Sequence, residues 1–235
     1  MNLEHKRILL TGGSLGIGKE TAKLLVDAGA LVAITGRDHT RLEKAAGYTG
    51  AFPICADISK EDQLNQSFET FIDKWKGIDV LINNAGIGSF PSMLDITMEK
   101  YEEIFRTNVF GPALLAKKAA HYMIPQKSGT IINIGSTAAL KSFEKGAIYA
   151  ASKFALRAMT EAWQAELRKH SIRVMQINPS EVATAFNNQE RIEREAATNK
   201  LRSLDIAYAI KSVLELDDRA FIPELSLWAT NPWNL

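Results

Sequence analysis

Residues 6–18, KRILLTGGSLGIG, decide how the rest of the chain is read. The run Ile8-Leu9-Leu10 is short and continuously apolar, the pattern of a strand buried on both faces. Beyond the glycines, Ile17, Thr21, Leu24, Leu25 and Ala28 recur at helical spacing. Gly12, Gly16 and Gly18 therefore occupy a strand-to-helix turn. Glycine accepts positive φ and lets a ligand approach the backbone closely. The start of the following helix offers free N–H groups and the positive end of a dipole to a phosphate. The turn thus reads as a dinucleotide-binding loop. Its spacing is G-x-x-x-G-x-G, and it lacks the Lys-Ser/Thr ending of a nucleotide-hydrolase loop.

Outward from this turn the same alternation repeats. Apolar runs at 30–36, 51–57, 78–86, 129–136 and 172–179 predict strands, and a last strand is expected near 219–223. Amphipathic stretches at 39–47, 60–77, 97–123, 147–170 and 204–216 predict helices, with 97–123 read as one long helix. Continuous apolar strands alternating with helices indicate an α/β fold: one doubly wound Rossmann domain over 1–235, with a mostly parallel, seven-stranded sheet between helices. Ligands of such folds bind beyond the carboxyl ends of the strands. The polar segment 185–202 breaks the rhythm and is expected to form a helical lid over substrate.

Bulk chemistry removes several classes of function. Lys plus Arg total 28 against 27 for Asp plus Glu, scattered without a basic block, which gives no support for a nucleic-acid partner. One cysteine excludes an internal disulfide or thiolate cluster, and four dispersed histidines argue against a zinc site, so no metal is expected. Cys55, inside the apolar run AFPICADI, is expected to pack as a small hydrophobe. The N-terminal apolar run is too short for a signal peptide or a membrane span, so a cytoplasmic protein with no membrane partner is the expectation.

Two further stretches carry chemistry. In ITGRDHTR the second strand ends at Gly36 and is followed by Arg37. A guanidinium there can pair with the 2′-phosphate of NADP, and Ser14 can add a hydroxyl donor. Asp38 could hold the ribose of NAD instead, but it falls later in the turn, and NADP is favoured. In YAASK, Tyr149 and Lys153 lie four residues apart, on one face of a helix. An ammonium beside a phenol stabilises phenolate, so Lys153 is expected to lower the Tyr149 pKa toward neutrality.

TGGSLGIG, NNAG at 83–86, Ser136 in NIGSTAA and Tyr149 with Lys153 follow in the order and rough spacing of the short-chain dehydrogenases/reductases. With Asn108 in RTNVFG and the segment NPSEVAT at 178–184, nearly the whole chain resembles that family, in its 3-oxoacyl-carrier-protein-reductase-like and carbonyl-reductase-like branch. The resemblance implies roles one residue at a time. Tyr149 would be the general acid in carbonyl reduction and the base in reverse. Lys153 would tune Tyr149 and bond the nicotinamide ribose, Ser136 would bond the substrate oxygen, and Asn108 would hold a water linking Lys153 to solvent. Asp57 would meet the adenine, Asn84, Ala85 and Gly86 the adenosine ribose, and Pro179, Val182 and Thr184 the carboxamide, with Ile58 also in the cofactor site. The glycine turn with Ile17 would carry the pyrophosphate.

The implied activity is NADP-dependent interconversion of a small ketone or aldehyde and its alcohol. A 3-oxoacyl thioester, a sugar or polyol, and a generic carbonyl compound all stand open as substrates. A dinucleotide-binding redox sensor is the alternative, and the full Asn-Ser-Tyr-Lys set argues against it. The family usually has Gly where this chain has Ser180, and Glu181 adds a carboxylate near the substrate side. In the resembled family the helices matching 97–123 and 147–170 pair across a two-fold axis. A homodimer or homotetramer is therefore expected, using Leu114, Phe154, Met159 and Trp163. The C-terminal run with Trp228, Pro232 and Trp233 is either core or interface.

Overall fold

In the computed structural model, residues 1–186, 192 and 198–232 are described. Strand β1 (Arg7–Leu10) leads to α1 (Gly16–Asp27), β2 (Leu31–Gly36), α2 (His39–Thr49), β3 (Phe52–Cys55), α3 (Glu61–Trp75) and β4 (Val80–Asn83). The second half runs α4 (Met98–Phe105), a π-turn (Arg106–Phe110), α5 (Gly111–Gln126), β5 (Gly129–Ile134), α6 (Ala147–Leu167) and β6 (Ile172–Pro179). It closes with β7 (Val182–Ala183), β8 (Leu201–Arg202), α7 (Ser203–Glu215) and β9 (Glu224–Leu227). Seven strands form one sheet in the order β3-β2-β1-β4-β5-β6-β9, every pair parallel. This is the doubly wound Rossmann-like fold expected from the sequence.

Alternation along each strand divides the core in two. Ile8 and Leu10 of β1 face a cluster with Leu25, Ile34, Ile206 and Ile210 from α1, β2 and α7. Leu9, between them, faces the opposite cluster with Phe71, Leu81, Leu115 and Ile131 from α3, β4, α5 and β5. Period-2 alternation with both faces buried explains why the strands read as unbroken apolar runs. The chain winds outward from β1 to β3, then returns to pair β4 with β1 and winds the other way. The reversal opens a crevice at the carboxyl ends of β1 and β4, where the glycine turn stands.

The long helix expected over 97–123 is interrupted. Gly111 N–H bonds to the Arg106 carbonyl, five residues back, and the π-turn begins there. Pro112 has no N–H for the carbonyl of Asn108, four residues back, and its ring crowds that carbonyl. Asn108 is thereby turned inward and is 1% exposed.

The last strand lies at Glu224–Leu227 rather than near 219–223. Phe221 and Ile222 pack on the core, and Pro223 cannot donate to a ladder, so pairing with β6 starts at Gln176↔Glu224. Part of the C-terminal apolar run is thus sheet; Trp228 is exposed, and Trp233 lies outside the described residues. Cys55 is exposed rather than buried, because it ends an edge strand. The body of the expected lid, 187–191 and 193–197, lies outside the described residues. Its C-terminal end is not helical: Leu201–Arg202 pairs with Val182–Ala183. Among the described residues no helix is long and apolar enough to cross a membrane, and no cluster of His, Cys, Asp or Glu could hold a metal.

Candidate active site

The carboxyl ends of the strands surround one cavity of about 820 Å³. Its wall includes Gly12, Ser14, Gly16 and Ile17 from the glycine turn, Arg37 after β2, and Asp57 and Ile58 after β3. Asn84, Ala85 and Gly86 follow β4, Ser136 follows β5, Tyr149 and Lys153 come from α6, and Pro179, Val182 and Thr184 follow β6. Of the expected site residues only Gly18 and Asn108 stand behind this wall, each bracing it.

The glycine turn is built on close approach. Gly12 has φ +69, and a methyl there would lie 2.8 Å from the Cα of Ala85. A methyl on Gly18 would lie 2.3 Å from the Gly12 oxygen and 2.6 Å from Asn84 Nδ2. Asn84 Nδ2 donates to the carbonyls of Thr11 (2.9 Å) and Gly12 (3.0 Å), fastening the turn to the end of β4. The buried Thr11 hydroxyl accepts from the N–H groups of Asn84 (3.1 Å) and Ala85 (3.0 Å). Thr11 was not singled out in the sequence; its only signal is a hydroxyl at the strand end beside the first glycine.

At the far end, Ser14 lies over Gly36, where a methyl would come within 3.3 Å of its Oγ. Asp38 is committed elsewhere. It caps α2, its Oδ1 accepting from Arg41 N–H at 2.9 Å, and its Oδ2 pairs with the Arg41 guanidinium at 3.1 Å. Arg37 is exposed, lines the cavity and has no ion-pair partner among the described residues. Arg41 also lines the cavity, a second cation that the sequence reading passed over although it stands in the same ITGRDHTR stretch. Asp57 Oδ1 accepts from Ser59 N–H (3.0 Å) and Oγ (2.7 Å), which fixes the turn after β3.

Ser136, Tyr149, Lys153 and Asn108 come together at the other end. The Ser136 hydroxyl lies toward the Tyr149 phenol and favours its ionised form, and Ser136 Oγ accepts from Ala138 N–H at 3.1 Å. Lys153 Nζ stands 5.8 Å from the Tyr149 ring centre and donates to the Ile134 carbonyl at 2.9 Å. A methyl on Gly86 would lie 3.4 Å from Asn108 Oδ1 and 3.6 Å from Lys153 Nζ, so the two polar groups meet across that glycine. Asn108 acts as a brace. Its Oδ1 accepts from Ile87 N–H, and its Nδ2 donates to the Ile87 carbonyl (both 2.9 Å) and to Ser152 Oγ (3.0 Å). Ser152 in turn donates to the Tyr149 carbonyl at 2.7 Å.

The electrostatics differ from the expectation that Lys153 lowers the Tyr149 pKa. Burial pushes the Tyr149 phenol up, and the Ser136 hydroxyl opposes this only in part. The ammonium is directed at the Ile134 carbonyl rather than the phenol, and burial alone brings Lys153 down to about 8. Tyr149 is therefore held as a neutral proton donor.

Phe90 and Phe186 stand against Tyr149, and Phe143 against Phe90. Phe186 stands at the start of the segment expected as a lid, while Phe90 and Phe143 were not anticipated because they come from separate loops with no shared motif. Glu181 is paired with Lys200 at 2.7 Å, and Ser180 N–H bonds to the Leu227 carbonyl at 2.9 Å.

A cavity at the switch point of a parallel sheet, with a glycine turn at one end and a Tyr-Lys-Ser group at the other, defines a dehydrogenase-like architecture. The chain belongs to the short-chain dehydrogenase family, whose model, short chain dehydrogenase, matches residues 6–195, and it is an oxidoreductase of that family. It is 28% identical over 227 residues to an uncharacterised oxidoreductase of Staphylococcus epidermidis, covering 96% of this chain and 97% of that one. Among solved structures it is similar to a 3-ketoacyl-(acyl-carrier-protein) reductase from Brucella melitensis complexed with NADH. The identity is 28%, the TM-score 0.88, and the match covers 98% of this chain and 100% of the other. It is also similar to a metagenomic short-chain oxidoreductase in complex with NADP, at 28% identity and TM-score 0.83, covering 96% and 98% of the two chains.

Proposed function

We propose that this oxidoreductase is NADP-dependent and interconverts a small ketone or aldehyde with the corresponding alcohol. The observation that carries the reading is the convergence of Ser136, Tyr149 and Lys153 on the wall of the same cavity that the glycine turn closes. A dinucleotide suits this cavity: methyls at Gly12 or Gly18 would collide with backbone, and the start of α1 lines the wall through Gly16 and Ile17. The similar structures named above hold NADH and NADP, in keeping with a nicotinamide dinucleotide here.

When bound, the reduced cofactor supplies a hydride to the carbonyl carbon and is oxidised. Tyr149, kept protonated by burial, gives its proton to the carbonyl oxygen. Ser136 holds the same oxygen by a hydrogen bond and steadies its developing charge. Lys153 would hold the ribose next to the nicotinamide, and a proton taken up from solvent would pass by way of Lys153 back to Tyr149. Asn108 keeps the loop at Ile87 and helix α6 in fixed relation, so that Tyr149 and Lys153 do not drift. Asp57 would border the adenine with Ile58 nearby, Asn84, Ala85 and Gly86 would border the adenosine ribose, and Pro179, Val182 and Thr184 the carboxamide.

The preference for NADP rests on Arg37 and on the commitment of Asp38 to the α2 cap and Arg41. A carboxylate so held is not free to grip a ribose diol, whereas Arg37, Arg41 and Ser14 can meet a 2′-phosphate. Arg37→Ala is expected to weaken NADPH binding by roughly tenfold to a hundredfold, the worth of a charged hydrogen bond, and to leave NADH nearly unchanged. Titration of both cofactors by fluorescence tests this. Wild-type preference for NADH, or equal loss of both, removes the NADP assignment.

A further inference from the structure

The rings around Tyr149 form an apolar chamber at the reacting end of the cavity. The Phe90 and Tyr149 ring centres are 5.4 Å apart at 64°, and Phe186 stands 5.6 Å from Tyr149 at 58°. Phe143 stands 5.8 Å from Phe90, is 51% exposed, and forms the outer lip. Phe90, Phe143 and Phe186 all line the same cavity as Ser136 and Tyr149. The seating of two of these rings is specific. A methyl on Gly88 would lie 2.9 Å from ring atoms of both Phe90 and Phe186, so bare glycine is what lets the two rings settle against that loop.

Among the described residues, charge is concentrated away from this chamber. Arg37, Asp38, Arg41 and Asp57 belong to the turns after β2 and β3. Lys153 is 4% exposed and turned to the Ile134 carbonyl, and Glu181 is paired with Lys200. The remaining charge among the described lining residues is Lys141, on the exposed rim. A single solvated ammonium contributes little to holding an anion. Sites for sugars place several fixed donors and acceptors against the ligand's hydroxyls. Three phenyl rings supply none, and they would leave those hydroxyls dehydrated and unpaired.

Resting on the oxidoreductase reading above, we infer that the substrate is an uncharged ketone or secondary alcohol with an apolar, ring-sized carbon body. Its oxygen meets Ser136 and Tyr149, and its hydrocarbon part lies against Phe90, Phe143 and Phe186. Sugars, polyols and carboxylate-bearing carbonyl compounds fit this chamber poorly.

The test compares kcat/KM with NADPH for acetophenone, dihydroxyacetone and acetoacetate, in wild type, Phe143→Ala and Phe143→Leu. Acetophenone is expected to exceed the other two by about tenfold or more, from apolar contact with the pocket. Phe143→Ala should lower the acetophenone value by about tenfold, and Phe143→Leu should recover part of the loss by restoring apolar bulk. Dihydroxyacetone or acetoacetate reduced as well as acetophenone would overturn the inference and leave the oxidoreductase reading standing. An acetophenone value insensitive to Phe143→Ala would likewise overturn it. No NADPH-dependent reduction of any of the three, by protein shown to bind NADPH, would overturn both.

Discussion

Tyr149 and Lys153 show how burial sets the chemistry of single residues. The motif spacing correctly put both on one face of α6 and at the cavity wall. The pKa logic drawn from that spacing was incomplete, because sequence does not reveal that the ammonium faces the Ile134 carbonyl or that both groups are almost dry. Thr11, Phe90 and Phe143 escaped notice for the same reason, that each acquires its role from a distant neighbour, whereas Arg41 was passed over although its partner Asp38 is only three residues away. A buried ammonium is costly to the fold. Lys153 falls to about 8 when folded, against ~10.4 in an unfolded chain. The unfolded state therefore binds more protons between those values, and wild-type stability rises with pH across that window. Lys153→Met removes the charge and forfeits the bond to Ile134. It is expected to stabilise the protein at pH 7 by on the order of 1 kcal/mol, with the gain shrinking as pH climbs from about 8 to ~10.4. Denaturant melts at several pH values check this; a destabilised variant at pH 7 would show that the hydrogen bond outweighs the desolvation.

Among the elements, α2 and the α4–α5 pair tie local sequence to the site most directly. Asp38 serves as the N-cap of α2, so the same residue that competes for a ribose is the one that holds the helix start. Asp38→Ala is expected to cost about 0.5–2 kcal/mol through loss of the cap. Asp38→Asn keeps an oxygen acceptor and should lose much less, while NADPH affinity should not fall in either variant. Thermal melts and cofactor titrations separate the two effects. A sharp loss of NADPH binding in Asp38→Asn would mean that the carboxylate itself serves the cofactor site. Helix existence was legible from periodicity, but the break at Arg106–Phe110 was not read from it. Its cause lies in the sequence all the same, since Pro112 removes the donor that Asn108's carbonyl requires. The displaced last strand is a similar case: apolar content marked Phe221 and Ile222, while Pro223 postponed pairing to Glu224.

Across the molecule, a buried chain of hydrogen bonds underlies the active-site layer. Asn83 donates to Asn133 (2.9 Å), Asn133 to Thr160 (2.8 Å) and Thr160 to Gln176 (3.2 Å). Gln176 then donates to Asn178 and Asn178 to Glu224, both at 2.8 Å, and Glu224 pairs with Arg157. It crosses β4, β5, α6, β6 and β9 and ties strand ends together, although Asn83 Oδ1 at its head is buried without a partner among the described residues. Its connections were not legible in the sequence: Asn83 and Asn178 stood in recognised motifs, but nothing there joined them to Asn133, Thr160, Gln176 or Glu224. The parallel sheet buried on both faces was legible, because continuous apolar strands alternate with helices; its strand order was not read from the sequence. Assembly belongs to this scale too. Phe110 and Phe154 are exposed at 53% and 43%, and Met93, Leu94 and Met98 also face outward around α4. Leu114 and Trp163 are instead partly taken up by their own core, so they offer less to a partner than the sequence suggested. At least a dimer is still expected, since an apolar surface of this kind on packed helices favours burial. Light scattering at micromolar protein checks it, and a monomeric mass would contradict it.

The most direct test of the central claim, that one cavity joins a dinucleotide cradle to a Tyr149 proton donor, combines label transfer with Tyr149→Phe. With NADPH deuterated at the transferred position, wild-type protein should place deuterium on the carbinol carbon of the product. Tyr149→Phe should bind NADPH with unchanged affinity and lose turnover by roughly 100-fold or more, as expected for removal of a general acid. Near-normal turnover in Tyr149→Phe, or a product without deuterium, would contradict the mechanism.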